Sequence, residues 1–580
     1  MSPSPTISAL THGSSGLLLA YLLVFVPMVV ALVRSRARVS DFFVSPVVAV
    51  AVAVIAAIIV AVLDSLLHIL GVASRSYFQF FVASVVSVVL GYVGGIGLVS
   101  GRRSDSSYRR GAVVSDTAAF SRLKRSRGSV GTEQLGSDCN NSITLAGLLV
   151  AADDETKHFK FIGTTGTGKS TAIREILSAA LKRGDRVVIA DPDGGYLKHF
   201  YDADRGDVML NPFEPDSLKW NLLGEITNAY DVDQLARSLI PDGGSSDRSW
   251  IEYARTFFAA VVEKAIEGGV KDDGEIYRLL AEASPEELKL LLANSAAGPF
   301  LAEANDKMFG SVRSVTSSAV RALRYIAAQK AAPFSVRQWV RQGAARRNGG
   351  RGGVLFLPYK AGEIAALRST ISAWMRIAIF EAMNRPEGDQ RLWFVIDELD
   401  ALGEIDGLKD ALARLRKFGG RCVLGFQSIS QVSGTYGKAA ADTIVENCGN
   451  TVVLRCSASE LGGTSQFASR LIGQCEAVHI TRSKTRRPTD WFASTTTSEH
   501  RSVEFAIMAS EIERLADLEG FLKFASIADW MRIRLSYVNY PIAVRARELK
   551  PEGIKPEPAA AVPVPATMPK KSRRRRASNG

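Results

Sequence analysis

The sequence predicts an α/β fold: a largely parallel sheet flanked by helices, with an all-α domain inserted into it and transmembrane helices ahead of it. Three observations carry this. Three apolar runs occupy the first hundred residues. A strand, a glycine-rich loop, a helix and a second strand succeed one another between His158 and Asp191. The strand pattern resumes only at Val354, after a stretch from 226 to 345 with helical signals and few strand signals.

The apolar runs come first: Leu17 to Val33, Val44 to Leu63 and Tyr77 to Val99. Each approaches or exceeds the roughly 20 residues that cross a bilayer as helix. The first has no basic n-region and no small-residue cleavage site, which argues against a removed signal peptide. Arg34, Arg36 and Arg38 follow the first run, and Arg102, Arg103, Arg109 and Arg110 follow the third. The loop between runs two and three carries only Asp64 and Arg75. Positive flanks stay in the cytoplasm, so the N-terminus is expected outside and everything beyond residue 100 inside. Gly91, Gly94, Gly95 and Gly97 would let the third helix pack closely. The expected anchor is residues 1–104.

Charge agrees with that division. The 580 residues hold 71 Lys+Arg against 59 Asp+Glu, a net +12. Residues 34–127 contribute +8 and residues 570–580 contribute +6, which leaves 128–569 at −2. Basicity of this kind belongs to lipid headgroups and a tail, and is poor evidence for a nucleic-acid surface. With 47% hydrophobic and 22% charged residues the chain is not disordered overall. Five cysteines without a CxxC pair, and six histidines without a HExxH, exclude a disulfide framework and a zinc ribbon.

The strongest motif is GTTGTGKS, Gly163 to Ser170. His158 to Ile162 reads as the strand before it, Ser170 to Arg183 as the helix after it, and Val187 to Asp191 as the next parallel strand. Gly166 and Gly168 allow backbone N–H groups to turn toward a phosphate at a helix N-terminus. The whole loop, Gly163, Thr164, Thr165, Gly166, Thr167, Gly168, Lys169, Ser170 and Thr171, is therefore the expected ATP cradle. Lys169 would reach the β- and γ-phosphates, and the Ser170 hydroxyl would ligate Mg²⁺.

Such a loop needs an acid. Leu392 to Ile396 is a buried-strand run ending in Asp397-Glu398. Asp397 would hold Mg²⁺, and Glu398 would polarise the attacking water. The alternative acids are Asp191 and Asp193, although DPDGG reads more like a turn with an orienting carboxylate. After the acid pair, Asp406 to Lys417 reads as a helix and Arg421 to Phe426 as a strand with Gln427-Ser428 at its tip. A Gln at a strand C-terminus is placed to contact a γ-phosphate or its water. Arg414, Arg416 and Lys417 either complement the helix dipole or reach a neighbouring subunit's nucleotide.

The inserted all-α domain is expected over 226–345, with helices at Trp250–Glu267, Pro285–Asn294 (Ser284 as cap) and Ser311–Gln329. It divides the nucleotide-binding domain into 105–225 and 346–548. Arg346 to Gly353 reads as a loop, Thr451 to Arg455 as another sheet strand, and 482–502 as a mobile or hairpin loop. Residues 549–580 form a Pro/Ala linker with a basic tail.

These segments resemble the type IV coupling proteins of bacterial conjugation, in their TraD/TrwB-like branch. The resemblance is carried by FIGTTGTGKSTAIREIL, by DPDGGY followed by NPF (Asn211 to Phe213) and WNLL (Trp220 to Leu223), by FVIDELDALGEIDGLKDALARLRKFGGRCVLGFQSISQVSGTYG, and by Val503 to Phe524. It covers about residues 105–540 and the anchor. It implies a hexameric RecA-like P-loop ATPase in the inner membrane, with its motor in the cytoplasm. Such a motor would take a relaxase–DNA complex and feed single-stranded DNA to a type IV secretion channel. By motif, Lys169 and Ser170 match the loop pair, Asp397 and Glu398 the acid pair, Arg416 the arginine finger and Gln427 the γ-phosphate sensor. Two features depart from the family: it commonly has two membrane helices, and some members end in an acidic tail. Two other cargoes share the motor chemistry: exported protein effectors, and double-stranded DNA as in FtsK- or HerA-like pumps.

Overall fold

The computed structural model describes residues 14–34, 39–69, 76–100, 106–116, 142–242, 248–342, 353–385, 391–459, 462–485 and 494–543. Arg36, Arg38, Arg75, the basic residues 102–103 and 122–127, Cys139, the Gly/Arg loop to residue 352 and the linker and tail lie outside them. The chain divides into two units: Met1–Arg110 with Cys475–Glu504, and Gly111–Gln474 with Phe505–Gly580.

In the first unit the three apolar runs are helices, Ser14–Arg34, Val39–Ile69 and Ser76–Ser100. By length and composition, one stretch among the described residues is long and apolar enough to cross a membrane, Phe42–Val62. Leu18–Arg34 and Phe81–Ile96 are shorter apolar helices, so the expectation of three full crossings is met by one span. The glycines matter where they touch. A Cβ on Gly91 would lie 2.2 Å from the Val24 carbonyl oxygen, and one on Gly95 2.7 Å from Ala31 Cβ and the Met28 carbonyl oxygen. The first and third helices thus pack backbone to backbone, which a side chain larger than hydrogen would prevent. The region expected as a mobile or hairpin loop is mostly strand. Gln474–Thr485 and Ser494–Phe505 form a three-stranded sheet with Ser106–Gly111. Alternating Thr, Ser, His and Val in these stretches suits a pleated ribbon. The stretch 346–548 is therefore interrupted by residues that fold with the N-terminal unit.

The second unit is built on a ten-stranded sheet. In spatial order its strands are Val114–Asp116, Trp530–Arg534, Glu519–Lys523, Asn450–Val453, Phe159–Ile162, Gly420–Phe426, Leu392–Ile396, Arg186–Pro192, Val354–Tyr359 and Val208–Met209. The strands from Asn450–Val453 to Val208–Met209 run parallel, and Glu519–Lys523 is antiparallel to both its neighbours. Both faces are covered, which explains the near-continuous apolar runs of the central strands. Alternate residues go to opposite cores: Val187, Ile189, Trp393 and Val395 to one, Val188, Ala190, Phe394 and Ile396 to the other.

The second of these cores continues into a helical segment between Glu225 and the strand at Val354. Its longest helix is Arg248–Glu267, whose Phe257 ring meets Phe309 edge-on at 5.2 Å. Ser284 caps Pro285–Leu291, its hydroxyl accepting from the Glu287 N–H at 3.2 Å, with Pro285 in the first turn. The expected Ser311–Gln329 helix is two, Asp306–Ala319 and Ala322–Ala328, broken after the weak helix formers Val315-Thr-Ser-Ser318. The expected Asp406–Lys417 helix starts at Leu408, because Gly407 has φ 73°. It ends at Leu415, and Arg416–Phe418 form a 3₁₀ turn.

Candidate functional site

Register places the candidate residues together. Ile162 is level with Phe426, and Ile396 with Leu424 and Ala190. The P-loop strand and the acid-pair strand are separated by one strand, Gly420–Phe426. The glycine loop, Gln427 and Asp397-Glu398 therefore all leave the same C-terminal edge of the sheet, where ligands bind in parallel α/β folds.

The loop is built tightly. Gly166 and Gly168 have φ of 79° and 115°, and Gly168 is the N-cap of helix Lys169–Arg183. A Cβ on Gly163 would come within 2.9 Å of both Leu454 Cβ and Thr167 Oγ1. The Thr164 N–H donates to the Arg455 carbonyl at 2.9 Å, its hydroxyl to the same oxygen at 3.2 Å, and the buried Thr167 hydroxyl donates to the Thr164 carbonyl at 2.8 Å. Thr165 is exposed, and Thr171 is half-buried on the first turn of the helix. Lys169 is buried, and its ammonium donates to the carbonyls of Gly163 at 2.6 Å and Thr164 at 3.2 Å. Burial lowers its pKa, while Asp397 and Glu398 oppose that shift.

The acid pair meets the loop. The Ser170 hydroxyl donates to Asp397 Oδ2 at 2.6 Å, and the Tyr196 hydroxyl donates to the same oxygen at 2.8 Å. Asp397 Oδ1 is buried and makes no hydrogen bond among the described residues. A hydroxyl and a carboxylate in contact, with one carboxylate oxygen unsatisfied, form a hard oxygen donor set that fits a divalent cation such as Mg²⁺. Glu398 is half-buried. Burial first, then Asp397 and Asp400, raise its pKa. Gln427 joins the two sides: its amide donates to Glu398 Oε1 at 3.1 Å, and its carbonyl accepts from the Thr165 hydroxyl at 3.0 Å.

Arg416 is elsewhere. It is exposed in the 3₁₀ turn before strand Gly420–Phe426, at the opposite sheet edge from Gln427. Asp191, the alternative acid, serves as an anchor. Its carboxylate accepts from the N–H groups of Tyr196 at 2.9 Å and Leu197 at 2.7 Å, and burial pushes its pKa up to about 7. Asp193 sits in the following turn with φ 54°. Sequence reasoning missed Tyr196 and Tyr359. The Tyr359 hydroxyl is buried without a hydrogen bond among the described residues, and burial, Glu398 and Asp397 raise its pKa. Helix Ile364–Met383 ties the acid-pair loop to the helical segment. The Ser372 hydroxyl donates to the Leu402 carbonyl at 2.6 Å, the Ser369 hydroxyl to the Ala319 carbonyl at 2.9 Å, and the Arg376 guanidinium binds Asp406 at 3.1 Å.

Residues 111–536 match the family described as the type IV secretion-system coupling protein DNA-binding domain. The chain is similar to the coupling protein TraD of Escherichia coli strain K12, with 30% identity over 421 residues, 72% of this chain and 58% of that protein. It thus spans well under two thirds of that relative's length. Among solved structures it is similar to the unbound bacterial conjugative coupling protein TrwBΔN70, with 28% identity and a TM-score of 0.66, covering 77% of this chain and 97% of that one. The plasmid coupling protein TrwB in complex with ADP and Mg²⁺ gives 28% identity and a TM-score of 0.63, over 77% of this chain and 97% of that one.

Proposed function

The chain belongs to the type IV secretion-system coupling proteins, and from that premise we propose that it is an ATP-hydrolysing motor moving single-stranded DNA through a conjugative secretion channel. The cargo would arrive as a relaxase–DNA complex, and the working form would be a homo-hexamer. The observation that carries this reading is the convergence of Lys169, Ser170, Asp397, Glu398 and Gln427 on one sheet edge.

Each group has a task there. Gly166 and Gly168, at positive φ, would let the backbone wrap a phosphate, Gly163 fits against Leu454 and Thr167, and Thr164, Thr165, Thr167 and Thr171 hold or flank the loop. On nucleotide binding, Lys169 would exchange its two carbonyl acceptors for β- and γ-phosphate oxygens. Ser170 and Asp397 would hold Mg²⁺, which when bound neutralises charge on the phosphate oxygens. Glu398 would accept a proton from the attacking water, and burial with Asp397 and Asp400 beside it makes its carboxylate more basic than an ordinary one. Gln427 would couple that base to the loop through Thr165. Arg416 would serve the nucleotide of the adjacent subunit.

The anchor reading is ours as well. We place Phe42–Val62 across the bacterial inner membrane, with the motor in the cytoplasm. Cysteine accessibility from each side tests it; a residue-100 flank labelled from outside sinks the topology.

The test of function is ATP turnover by the full chain with no DNA, with single-stranded and with double-stranded DNA, beside a mating assay. Lys169→Ala should lose both turnover and transfer; intact hydrolysis and transfer in that variant would overturn the motor reading. Stimulation by double-stranded DNA alone would favour a duplex pump. Export of a protein cargo without DNA transfer would favour an effector receptor.

A further inference from the structure

We propose that Tyr196 is a positioning residue: its hydroxyl holds Asp397 in the orientation that presents the carboxylate to the nucleotide-bound cation. This deepens the motor reading and rests on it. Tyr196 is 2% exposed, and a phenol hydroxyl in so dry a place gains most from an acceptor. The acceptor it has is Asp397 Oδ2, at 2.8 Å.

The tyrosine is itself fixed by two further groups. Asp191 binds its N–H, and the Arg174 guanidinium lies 5.6 Å from the ring centroid while donating to the Gly195 carbonyl at 3.3 Å. Asp191 stands at the end of the strand beside the acid-pair strand, with Ala190 level with Ile396. The ring therefore spans from one strand to the carboxylate of the next.

The two donors on Oδ2 differ in what they can do later. Ser170 is the residue that turns its oxygen to a cation, so its bond to Asp397 is surrendered on binding. Tyr196 has no such second task. It keeps Oδ2 engaged, so the carboxylate cannot swing and its Oδ2 side stays turned toward Ser170 and the loop. A ligand carboxylate fixed by an outer donor is the usual arrangement in metal sites, and loss of that donor weakens metal affinity.

The experiment uses the full chain in detergent with ADP carrying a methylanthraniloyl fluorophore, titrated with and without Mg²⁺. Tyr196→Phe should bind the metal-free nucleotide within about twofold of wild type and need about tenfold more Mg²⁺ for half-saturation. The rise in melting temperature on adding Mg²⁺ and ADP, measured against each variant's own metal-free midpoint, should shrink in parallel. That reference cancels a general loss of stability. In an Asp397→Asn background the same change should add little, since the tyrosine acts through that carboxylate. Wild-type Mg²⁺ dependence in Tyr196→Phe, an equal loss of metal-free binding, or full additivity with Asp397→Asn overturns the proposal. If the wild type itself binds no nucleotide, the motor reading fails instead.

Discussion

Replacing Arg416 by alanine should abolish hydrolysis in the subunit next door and leave its own nucleotide binding intact. The geometry sets the expectation. Arg416 precedes the seven-residue strand Gly420–Phe426, and Gln427, which contacts the P-loop residue Thr165, follows it. At about 3.3 Å per residue the strand separates them by roughly 20 Å, several times what an arginine side chain can reach. Arg416 therefore cannot serve its own phosphates, and the proposed finger role requires a neighbouring subunit to receive it. A finger supplied in trans contributes about a thousandfold or more to turnover. The decisive assay mixes two inactive variants. Arg416→Ala keeps an intact loop, and Lys169→Ala keeps an intact arginine. Co-expressed in equal amounts and randomly assembled, they should place an intact loop against an intact arginine at about one interface in four, and so restore about a quarter of wild-type turnover if sites fire independently. Two outcomes refute the reasoning: near-normal turnover of Arg416→Ala alone, or mixtures no more active than either variant.

Three further outcomes follow from the packing. Glu155 is buried between Arg183, at 2.7 and 2.8 Å, and Arg421, at 2.9 Å, so Glu155→Ala should cost about 3–5 kcal/mol by leaving both cations short of a partner, read by denaturant unfolding. Burial pushes that carboxyl up, but the hydrogen bonds and charges of Arg183 and Arg421 win and hold it below the ordinary 4.5. Its contribution is thus full above pH 4.5 and fades as pH falls through the lower folded value, so the wild-type advantage should narrow on acidification and not on raising the pH. Gly168→Ala places a Cβ 2.9 Å from Leu518 Cδ2 at φ 115°, a strain of about 1–2 kcal/mol, and should weaken nucleotide binding about tenfold by calorimetry. Gly91→Leu should part the helices Ser14–Arg34 and Ser76–Ser100, seen as lost cross-linking between cysteines placed on them; undiminished cross-linking would contradict the backbone contact at Val24.

What was legible in the sequence is what is local. The P-loop helix announces itself because Gly168, Lys169 and Ser170 are consecutive and Ile173, Ile176, Leu177 and Ala180 recur at helical spacing toward one core. The central strands are legible because a parallel sheet covered on both faces needs unbroken apolar runs such as Leu392–Ile396. Boundaries slipped where a backbone angle decides them, as at Gly407, whose left-handed φ delays a helix that periodicity alone would start earlier. The ribbon strands Gln474–Thr485 and Ser494–Phe505 were hidden because Ser/Thr/Arg-rich stretches read as loop until a partner strand is present, and one of their sheet partners, Ser106–Gly111, is more than 360 residues away.

The acid pair shows why the site's inner support resists reading. Asp397 was found because it ends an apolar strand, a property of five consecutive residues. Tyr196 touches the same carboxylate from 201 positions away, and nothing within a window around either residue ties them. Their meeting depends on strand order: Arg186–Pro192 must lie beside Leu392–Ile396, with the whole helical segment intervening in the chain. A phenol buried to 2% exposure is stabilised by an acceptor, and the DPDGGY turn offers a carboxylate of its own in Asp191. That carboxylate is taken by backbone N–H groups, which leaves the phenol to bond across the strand boundary. The turn thus looks self-sufficient in sequence while in the folded chain it reaches Asp397, the acid proposed to hold Mg²⁺, and it is at such cross-strand bonds that substitution should separate cation affinity from nucleotide affinity.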